Sequence, residues 1–373
     1  MEKNNKTLNV PNLRFPEFSG EWESVRLGDV CKFFSGGTPS STNKDFYDGD
    51  IPFIRSGEIH SSSTELYISE AGLNSSSAKI IEQGDLLLAL YGATSGDIAI
   101  SKIKGAINQA ILCIRTNHDN FFLKSCWEKH CRKLLQTYLQ GGQGNLSADI
   151  VKSIKISFPS CLEQKKISGL LALVEERIET QKKIIEKYES LIRGLYHSVF
   201  NQPASTLQLK DVVSVVKGKQ VNGEELLEYG KYYVMNGGIE PSGYLDVCNT
   251  PANTISISEG GNSCGYVQYN TEPFWSGGHC YSLIQKGQSV NYQYLYHFLK
   301  YKERDIMALR IGSGLPNVQK KDLERFEIRV LPTKQQNRVT DILEDVSVKC
   351  DLEKRILQGW QCQKSYLLRN LFI

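Results

Sequence analysis

Glu163-Gln164-Lys165 has the E-x-K spacing of some nucleases. It also opens a helical pattern, where a glutamate is favoured by the positive end of the macrodipole, and no acidic partner stands just upstream. Helix initiation is therefore the stronger reading. Among ten cysteines the nearest approach to a zinc set is Cys126, His130 and Cys131, but no C-x-x-C pair occurs and the trio lies in a polar, helix-like stretch. Buried free thiols account better for such cysteines, and no metal is expected. The chain has no G-x-x-x-x-G-K-S/T phosphate loop, no G-x-G-x-x-G after a strand and no H-E-x-x-H. It also lacks an asparagine followed by two prolines, which an amino-methyltransferase would show. No catalytic residues are expected, and recognition is the chemistry left to consider.

The residues suited to recognition lie in loops. Four apolar runs in the first half read as short strands, Ile51–Ile54, Asp85–Leu90, Ile98–Ile100 and Ala110–Ile114. Around them lie Ser35-Gly36-Gly37-Thr38-Pro39-Ser40, Arg55-Ser56-Gly57, Tyr91-Gly92-Ala93-Thr94-Ser95-Gly96, Asn108-Gln109 and Gly141-Gly142-Gln143-Gly144-Asn145. Glycine lets a backbone pass close to a ligand, and Ser, Thr, Asn and Gln offer the donors and acceptors that read base edges. The candidates for DNA contact are Ser35, Gly37, Thr38, Arg55, Ser56, Tyr91, Thr94, Ser95, Asn108, Gln109, Gln143 and Asn145. The second half keeps the scheme with other letters: Lys217-Gly218-Lys219-Gln220, Met235-Asn236-Gly237-Gly238, Ser258-Glu259-Gly260-Gly261-Asn262, Gly277-Gly278-His279 and Arg310-Ile311-Gly312-Ser313-Gly314. Its candidates are Lys217, Lys219, Asn236, Asn262, His279 and Ser313. Lys217, Lys219, Arg55 and Arg310 suit phosphates, which position a protein without specifying sequence. The competing reading is that each loop is a solvated turn and each charge an ordinary surface charge.

Such loops need a scaffold, and the chain supplies one twice. Leu27-Gly28-Asp29-Val30 recurs as Leu209-Lys210-Asp211-Val212 at 209 − 27 = 182, each followed six residues after its valine by a glycine, Gly36 and Gly218. Ser56-Gly57-Glu58-Ile59 faces Asn236-Gly237-Gly238-Ile239 at 236 − 56 = 180, and Asp149–Pro159 faces Asp322–Pro332 at 322 − 149 = 173. An order kept over this length marks an internal repeat. The offset is expected to fall steadily, as in a second copy trimmed in its loops. Two divergent copies suggest two similar jobs on different targets.

Each copy ends in a helix with a heptad seam. Steps of four and three from Ile167 reach Leu171, Val174, Ile178, Gln181, Ile185, Tyr188, Ile192, Leu195 and Val199. The second copy runs Val339, Leu343, Val346, Cys350, Glu353, Leu357, Trp360, Lys364, Leu367 and Leu371. This spacing marks a coiled-coil seam. The polar Gln181 and Glu353 either fix its register or are tolerated there. Helices over 163–200 and 335–372 would each be about 57 Å long at about 1.5 Å per residue. Only Asn201-Gln202-Pro203-Ala204 separates the first helix from the second globular part, so an antiparallel pair is the economical arrangement. It would put the globular parts at opposite ends of a rod and set a spacing of about one to one and a half turns of B-DNA, at about 34 Å per turn.

The 373 residues suffice for two domains of ordinary size, and 40% hydrophobic with 23% charged residues is a globular composition. A net charge of +3 and a pI near 8.2 give no whole-chain electrostatic case for nucleic acid. Met1–Lys6 has no apolar signal region and the longest apolar stretch, Leu86–Tyr91, is too short to span a bilayer, so a cytoplasmic location without a membrane is expected. The expected fold class is mixed α+β, with globular domains over 1–158 and 204–331 and helices over 159–203 and 332–373.

These residues resemble the specificity subunit of type I restriction-modification enzymes, over nearly the whole chain. Leu13-Arg14-Phe15-Pro16-Glu17-Phe18 with Trp22, Ser35-Gly36-Gly37-Thr38-Pro39, Ile51-Pro52-Phe53-Ile54, and Pro159 through Glu163-Gln164-Lys165-Lys166-Ile167 look like that family's recurrent features. The second copy keeps Leu331-Pro332 and Gln335-Gln336 but has Lys217-Gly218-Lys219 where Ser-Gly-Gly would be expected. The resemblance implies two target-recognition domains, each reading one half of an asymmetric bipartite site in double-stranded DNA, and helices that act as spacer and as docking surface for two modification subunits. It also implies no cofactor on this chain: S-adenosylmethionine and adenine N6 methylation belong to the modification subunits, and ATP- and Mg-dependent translocation and cleavage to restriction subunits. Two rival readings stand beside it. A coiled-coil scaffold with duplicated protein- or glycan-binding domains predicts no salt-dependent DNA binding, whereas phosphate contacts demand a steep fall of affinity with salt. A self-contained restriction enzyme would need catalytic machinery that these residues do not supply.

Overall fold

The structure, a computed structural model, describes residues 9–138, 146–312 and 316–373. They form two compact units, one up to Gln181 together with Ile356–Ile373, the other Lys182–Arg355. Each long helix therefore begins in one unit and ends in the other.

In the first unit Cys31–Ser35, Ile111–Thr116, Leu86–Ala89 and Ile98–Ile100 lie side by side in that order, all antiparallel. A second sheet orders Leu66–Ile68, Tyr47–Ile54, Gly105–Ile107 and Lys79–Ile81, with Tyr47–Ile54 parallel to Gly105–Ile107. A ribbon pairs Glu23–Arg26 with Lys155–Phe158. The unbroken apolar run at Leu86–Leu90 follows from burial on both faces, since successive side chains of a strand point to opposite sides. Leu86, Leu88 and Leu90 enter a core with Trp22, Phe122 and Trp127, while Leu87 and Ala89 enter another with Ile54, Ile81 and Ile107.

The second unit repeats this plan. Val213–Lys217, Cys280–Gln285, Thr254–Ser258 and Val267–Asn270 form its antiparallel sheet. Tyr244–Leu245, Tyr232–Met235 and Trp275–Ser276 form the mixed one, and Ser205–Gln208 pairs with Glu327–Val330. The registers coincide. Ser35 faces Leu112 as Lys217 faces Tyr281, and Ile54 faces Ile107 as Met235 faces Ser276. Leu88 faces Ile98 as Ile257 faces Val267, and Glu23 faces Phe158 as Ser205 faces Val330.

These pairs correct the expected steady drift. The offset is 217 − 35 = 182 and 235 − 54 = 181 early on, drops to 257 − 88 = 169, and returns to 330 − 158 = 172. Most of the loss, 181 − 169 = 12 residues, falls where the first unit has Leu66–Ile68, the helix Glu70–Asn74 and Lys79–Ile81 and the second has only Tyr244–Leu245. The alignment of Asp149–Pro159 with Asp322–Pro332 also shifts by one. Leu27 N donates to Ile154 O at 2.9 Å and Leu209 N to Phe326 O at 2.9 Å, giving 326 − 154 = 172.

The long helices span Cys161–Phe200 and Thr333–Leu371, starting two residues before the expected positions. Equivalent buried glutamines tie their starts to the globular parts. Gln164 Nε2 donates to Pro159 O at 2.9 Å and its Oε1 accepts from Asp119 N at 3.2 Å; Gln336 Nε2 donates to Leu331 O and its Oε1 accepts from Asn291 N, both at 2.7 Å. Seam residues Ile167, Leu171, Val174, Gln181, Ile185, Leu343, Cys350, Leu367 and Leu371 are buried, and Ile178, Tyr188, Leu195, Val339, Val346, Leu357 and Trp360 are half-buried. In the first unit Ile167, Leu171 and Val174 share a core with Leu367 and Leu371, and the polar seam residue Lys364 bridges Glu175 at 2.7 Å and Glu128 at 2.8 Å. In the second, Glu189 pairs with Lys354 at 3.2 Å, and Leu195 and Val199 pack on the core that holds Leu343. Early residues of one helix meet late residues of the other, the antiparallel sense.

His297, on the helix Tyr292–Tyr301, is 3% exposed and hydrogen-bonds the Tyr196 hydroxyl at 3.0 Å. Burial pulls its pKa down to about 4. An unfolded histidine takes its proton near pH 6.5. The folded unit refuses that proton, so its stability rises with pH through this window and is lost as pH falls from about 6.5 to about 4, by up to about 3 kcal/mol. Urea unfolding of the wild type and His297→Gln at pH 7 and pH 4 is expected to show the larger acid loss in the wild type. Equal losses would contradict this role.

Candidate nucleic-acid interface

The shared registers gather the predicted loops. In the first unit, the end of Cys31–Ser35, the end of Leu86–Ala89 and the start of Ile111–Thr116 lie together, with the paired ends of Tyr47–Ile54 and Gly105–Ile107 at the same side. Leu90 N donates to Ala110 O at 2.8 Å and Leu146 N to Leu90 O at 3.0 Å, lacing these loops to each other. Ser35, Gly37, Thr38, Arg55, Ser56, Tyr91, Thr94, Ser95, Asn108 and Gln109 thus share one end of the unit. Lys217, Lys219, Asn236, Asn262 and His279 share the matching end of the other. Gln143, Asn145 and Ser313 lie outside the described residues.

Two glycines permit this convergence. A Cβ on Gly36 would stand 1.7 Å from Ile107 O, and one on Gly218 would stand 2.1 Å from Gly277 O. The turns beyond the central strands are also the same. Gly92 and Gly96 take φ of 75° and 87°, Gly261 and Gly265 take 77° and 89°, and Gly96 N donates to Ala89 O as Gly265 N does to Ser258 O, each at 2.8 Å.

On this common backbone the side chains differ in a compensated way. Thr38 Oγ1 donates to Gln109 Oε1 at 2.6 Å. The equivalent positions are Gln220 and Gly278, and a Cβ on Gly278 would stand 2.2 Å from Gln220 Oε1. The amide has moved from one strand end to the other and occupies the space its partner vacated. Asn108 and Arg55 correspond likewise to Gly277 and Asn236, where a Cβ on Gly277 would meet Asn236 Oδ1 at 2.5 Å. Asn236 Oδ1 also accepts from His279 N at 3.1 Å.

Some candidates serve their own loop. Ser95 Oγ donates to Leu90 O at 3.0 Å, and Asn108 Oδ1 accepts from Ala110 N at 3.1 Å. Arg55, one of the charges suited to phosphate, is held by Glu58 at 3.0 Å and Glu65 at 2.6 Å. Burial alone would raise the pKa of Glu58, but hydrogen bonds from Arg55 and from the backbone of Glu65 and Arg55 bring it down to about 2. The Tyr91 ring is 40% exposed at the tip. Glu259, unmarked by the sequence reading, is buried beneath Lys217 and His279: its Oε1 accepts from Lys217 Nζ at 2.6 Å and from the Tyr281 hydroxyl at 2.9 Å. Its placement after the buried Ser256 and Ser258 on a strand was the available signal.

The E-x-K pair separates into unrelated roles. Glu163 is 1% exposed, receives both Arg14 Nε and Nη2 at 2.8 Å and Trp22 Nε1 at 3.3 Å, while Lys165 is exposed. This bidentate clamp fastens the Leu13–Trp22 segment to the helix start. Cys126 lies in the core, its thiol pushed up to about 12 by burial, and Cys131 Sγ donates to Gly96 O at 3.3 Å. Among the described residues no group of three or more His, Cys, Asp or Glu is placed to hold a metal ion, and no helix is long and apolar enough to cross a membrane.

The glycine geometry is directly testable. Gly36→Ala is expected to destabilise the first unit by about 3 kcal/mol or more through overpacking. Gly57→Ala, with nothing within 4 Å of its Cβ, should change stability by less than about 0.5 kcal/mol. Equal urea midpoints for the two variants would contradict the close approach.

Comparison with known proteins gives one consistent result. The type I restriction modification DNA specificity domain matches residues 19–190 and again 202–359. The MjaVIII type I restriction enzyme specificity subunit of Methanocaldococcus jannaschii is 21% identical over 95% of this chain and 91% of its own. The EcoR124I/EcoR124II specificity subunit of Escherichia coli is 28% identical over 43% of this chain and 42% of its own. The crystal structure of a type I restriction-modification S subunit from M. genitalium superposes with a TM-score of 0.75 at 19% identity, covering 98% of this chain and 99% of that one, a likeness of fold. These matches give the protein- or glycan-binding scaffold no support.

Proposed function

The chain belongs to the type I restriction-modification DNA specificity family, and from that premise we propose that each unit reads one half of an asymmetric, split site in double-stranded DNA. The observation that carries this reading is one backbone frame, repeated in register, whose convergent loops hold different side chains. Loop side chains supply base readout, and exposed charges such as Lys219 and Arg310 hold phosphate.

The long helices set the unread gap between the half-sites and dock two modification subunits. Their outward residues support this, because Leu162, Leu173, Leu191, Ile342, Val348 and Leu352 are 73, 62, 49, 44, 67 and 54% exposed, apolar surface suited to a protein partner. S-adenosylmethionine is bound by those subunits, and ATP and Mg by restriction subunits that join them, in the cytoplasm where the DNA lies. This chain supplies the address and takes no part in bond making or breaking.

Methylation sequencing of DNA from cells expressing this chain with its modification subunit, beside cells expressing that subunit alone, tests the reading. Methylated adenines in a split motif are expected only when this chain is present. A soluble, co-purifying complex that leaves no such motif would contradict it.

A further inference from the structure

Glu259 is 5% exposed at the loop end of the second unit. Its Oε1 is occupied by Lys217 and Tyr281, but its Oε2 is buried without a hydrogen-bond partner, with His279 Nδ1 at 3.7 Å. Leaving a buried carboxylate oxygen unpaired is costly, and a ring movement of about 1 Å would bring His279 within hydrogen-bond range. The side chains of Lys217 and His279 are 53% and 60% exposed, so they stand on the open face over this carboxylate.

The frame does not require this cluster. By register, Lys217, Glu259, His279 and Tyr281 occupy the places of Ser35, Leu90, Ala110 and Leu112 in the first unit. There the same backbone bonds form around a buried leucine: Leu90 N donates to Ala110 O at 2.8 Å as Glu259 N does to His279 O at 2.9 Å, and Leu146 N donates to Leu90 O as Val318 N does to Glu259 O. A carboxylate in place of a leucine costs desolvation and adds nothing to that ladder. Its effect falls on Lys217, whose ammonium it fixes and whose charge it balances. A lysine neutralised in this way attracts phosphate weakly, yet it keeps N–H donors for a base edge.

Resting on the reading that each unit recognises a half-site, we propose that Lys217 reads the acceptor edge of a guanine, its O6 and N7, at one position of the second unit's half-site. Glu259 and His279 are the positioning residues that aim its ammonium.

Methylation sequencing with Lys217→Met and with Glu259→Gln, which keeps the shape and removes the charge, tests this. Competition binding by the purified complex, using the wild-type site and single-base variants of it, reads the magnitude. Both variants are expected to relax the same single G·C position in one half-site, lowering discrimination there by roughly tenfold to a hundredfold, with the other half-site and the gap unchanged. His279→Ala, on an exposed side chain that threatens no fold, should weaken the same position. A motif identical to the wild type's with methylation lowered everywhere would mark Lys217 as a phosphate contact and overturn the assignment, as would relaxation at an A·T position. A wild type without any split motif would instead fail the underlying reading, and this assignment with it.

Discussion

In each unit the chain just past the first strand of the antiparallel sheet presses against the backbone of a neighbouring strand end with no room for a side chain. Gly36 lies against Ile107, and Gly218 against Ser276 and Gly277. Because the two sheets meet there, the loops leaving their strands have one direction to go, and residues distant in sequence become neighbours. The common turns around Gly92 and Gly261 then fix where each loop tip stands. On the proposed reading, recognition falls to side chains that the frame does not need, so one fold can carry two addresses. The exchange of Thr38 and Gln109 for Gln220 and Gly278 changes side chains at one spot while the frame stays the same.

The helix starts are hydrogen-bonded into this frame. Gln164 and Gln336 each spend both ends of a buried amide on the chain just before the helix and on the residue that caps a helix of the globular part. In the first unit Glu163 adds the clamp to Arg14 and Trp22. The terminal residues Phe200 and Phe372 are buried in the second and first cores respectively.

Much of this was legible in the sequence, for physical reasons. Heptad apolar spacing reports a helix seam directly, and residues from Ile167 to Leu371 face inward as that spacing demands. The duplication survived because Leu27 and Leu209, or Gly36 and Gly218, are held by packing and close approach, where few residue types fit. What escaped depends on partners that only the folded chain brings together. Arg55 suits either a phosphate or a plain surface charge by sequence, and its ion pairs with Glu58 and Glu65 appear only in the fold. Glu163 was read as opening a helix, and its clamp on Arg14 stayed hidden because the two are 149 residues apart. Glu259 passed unmarked because its meaning lies in the contrast with Leu90, and that alignment required the strand registers. The missing residues of the second copy could not be placed either, since a trimmed loop leaves no mark in an offset averaged over the chain.

On the proposed reading each unit recognises its half-site independently, on a common frame. Replacing residues 1–158 with the corresponding domain of a relative of different specificity, then mapping methylation in cells that also express the modification subunit, tests it most directly. One half of the motif is expected to change to the donor's while the other half and the gap stay as they were. A motif altered in both halves, or in neither, would contradict it.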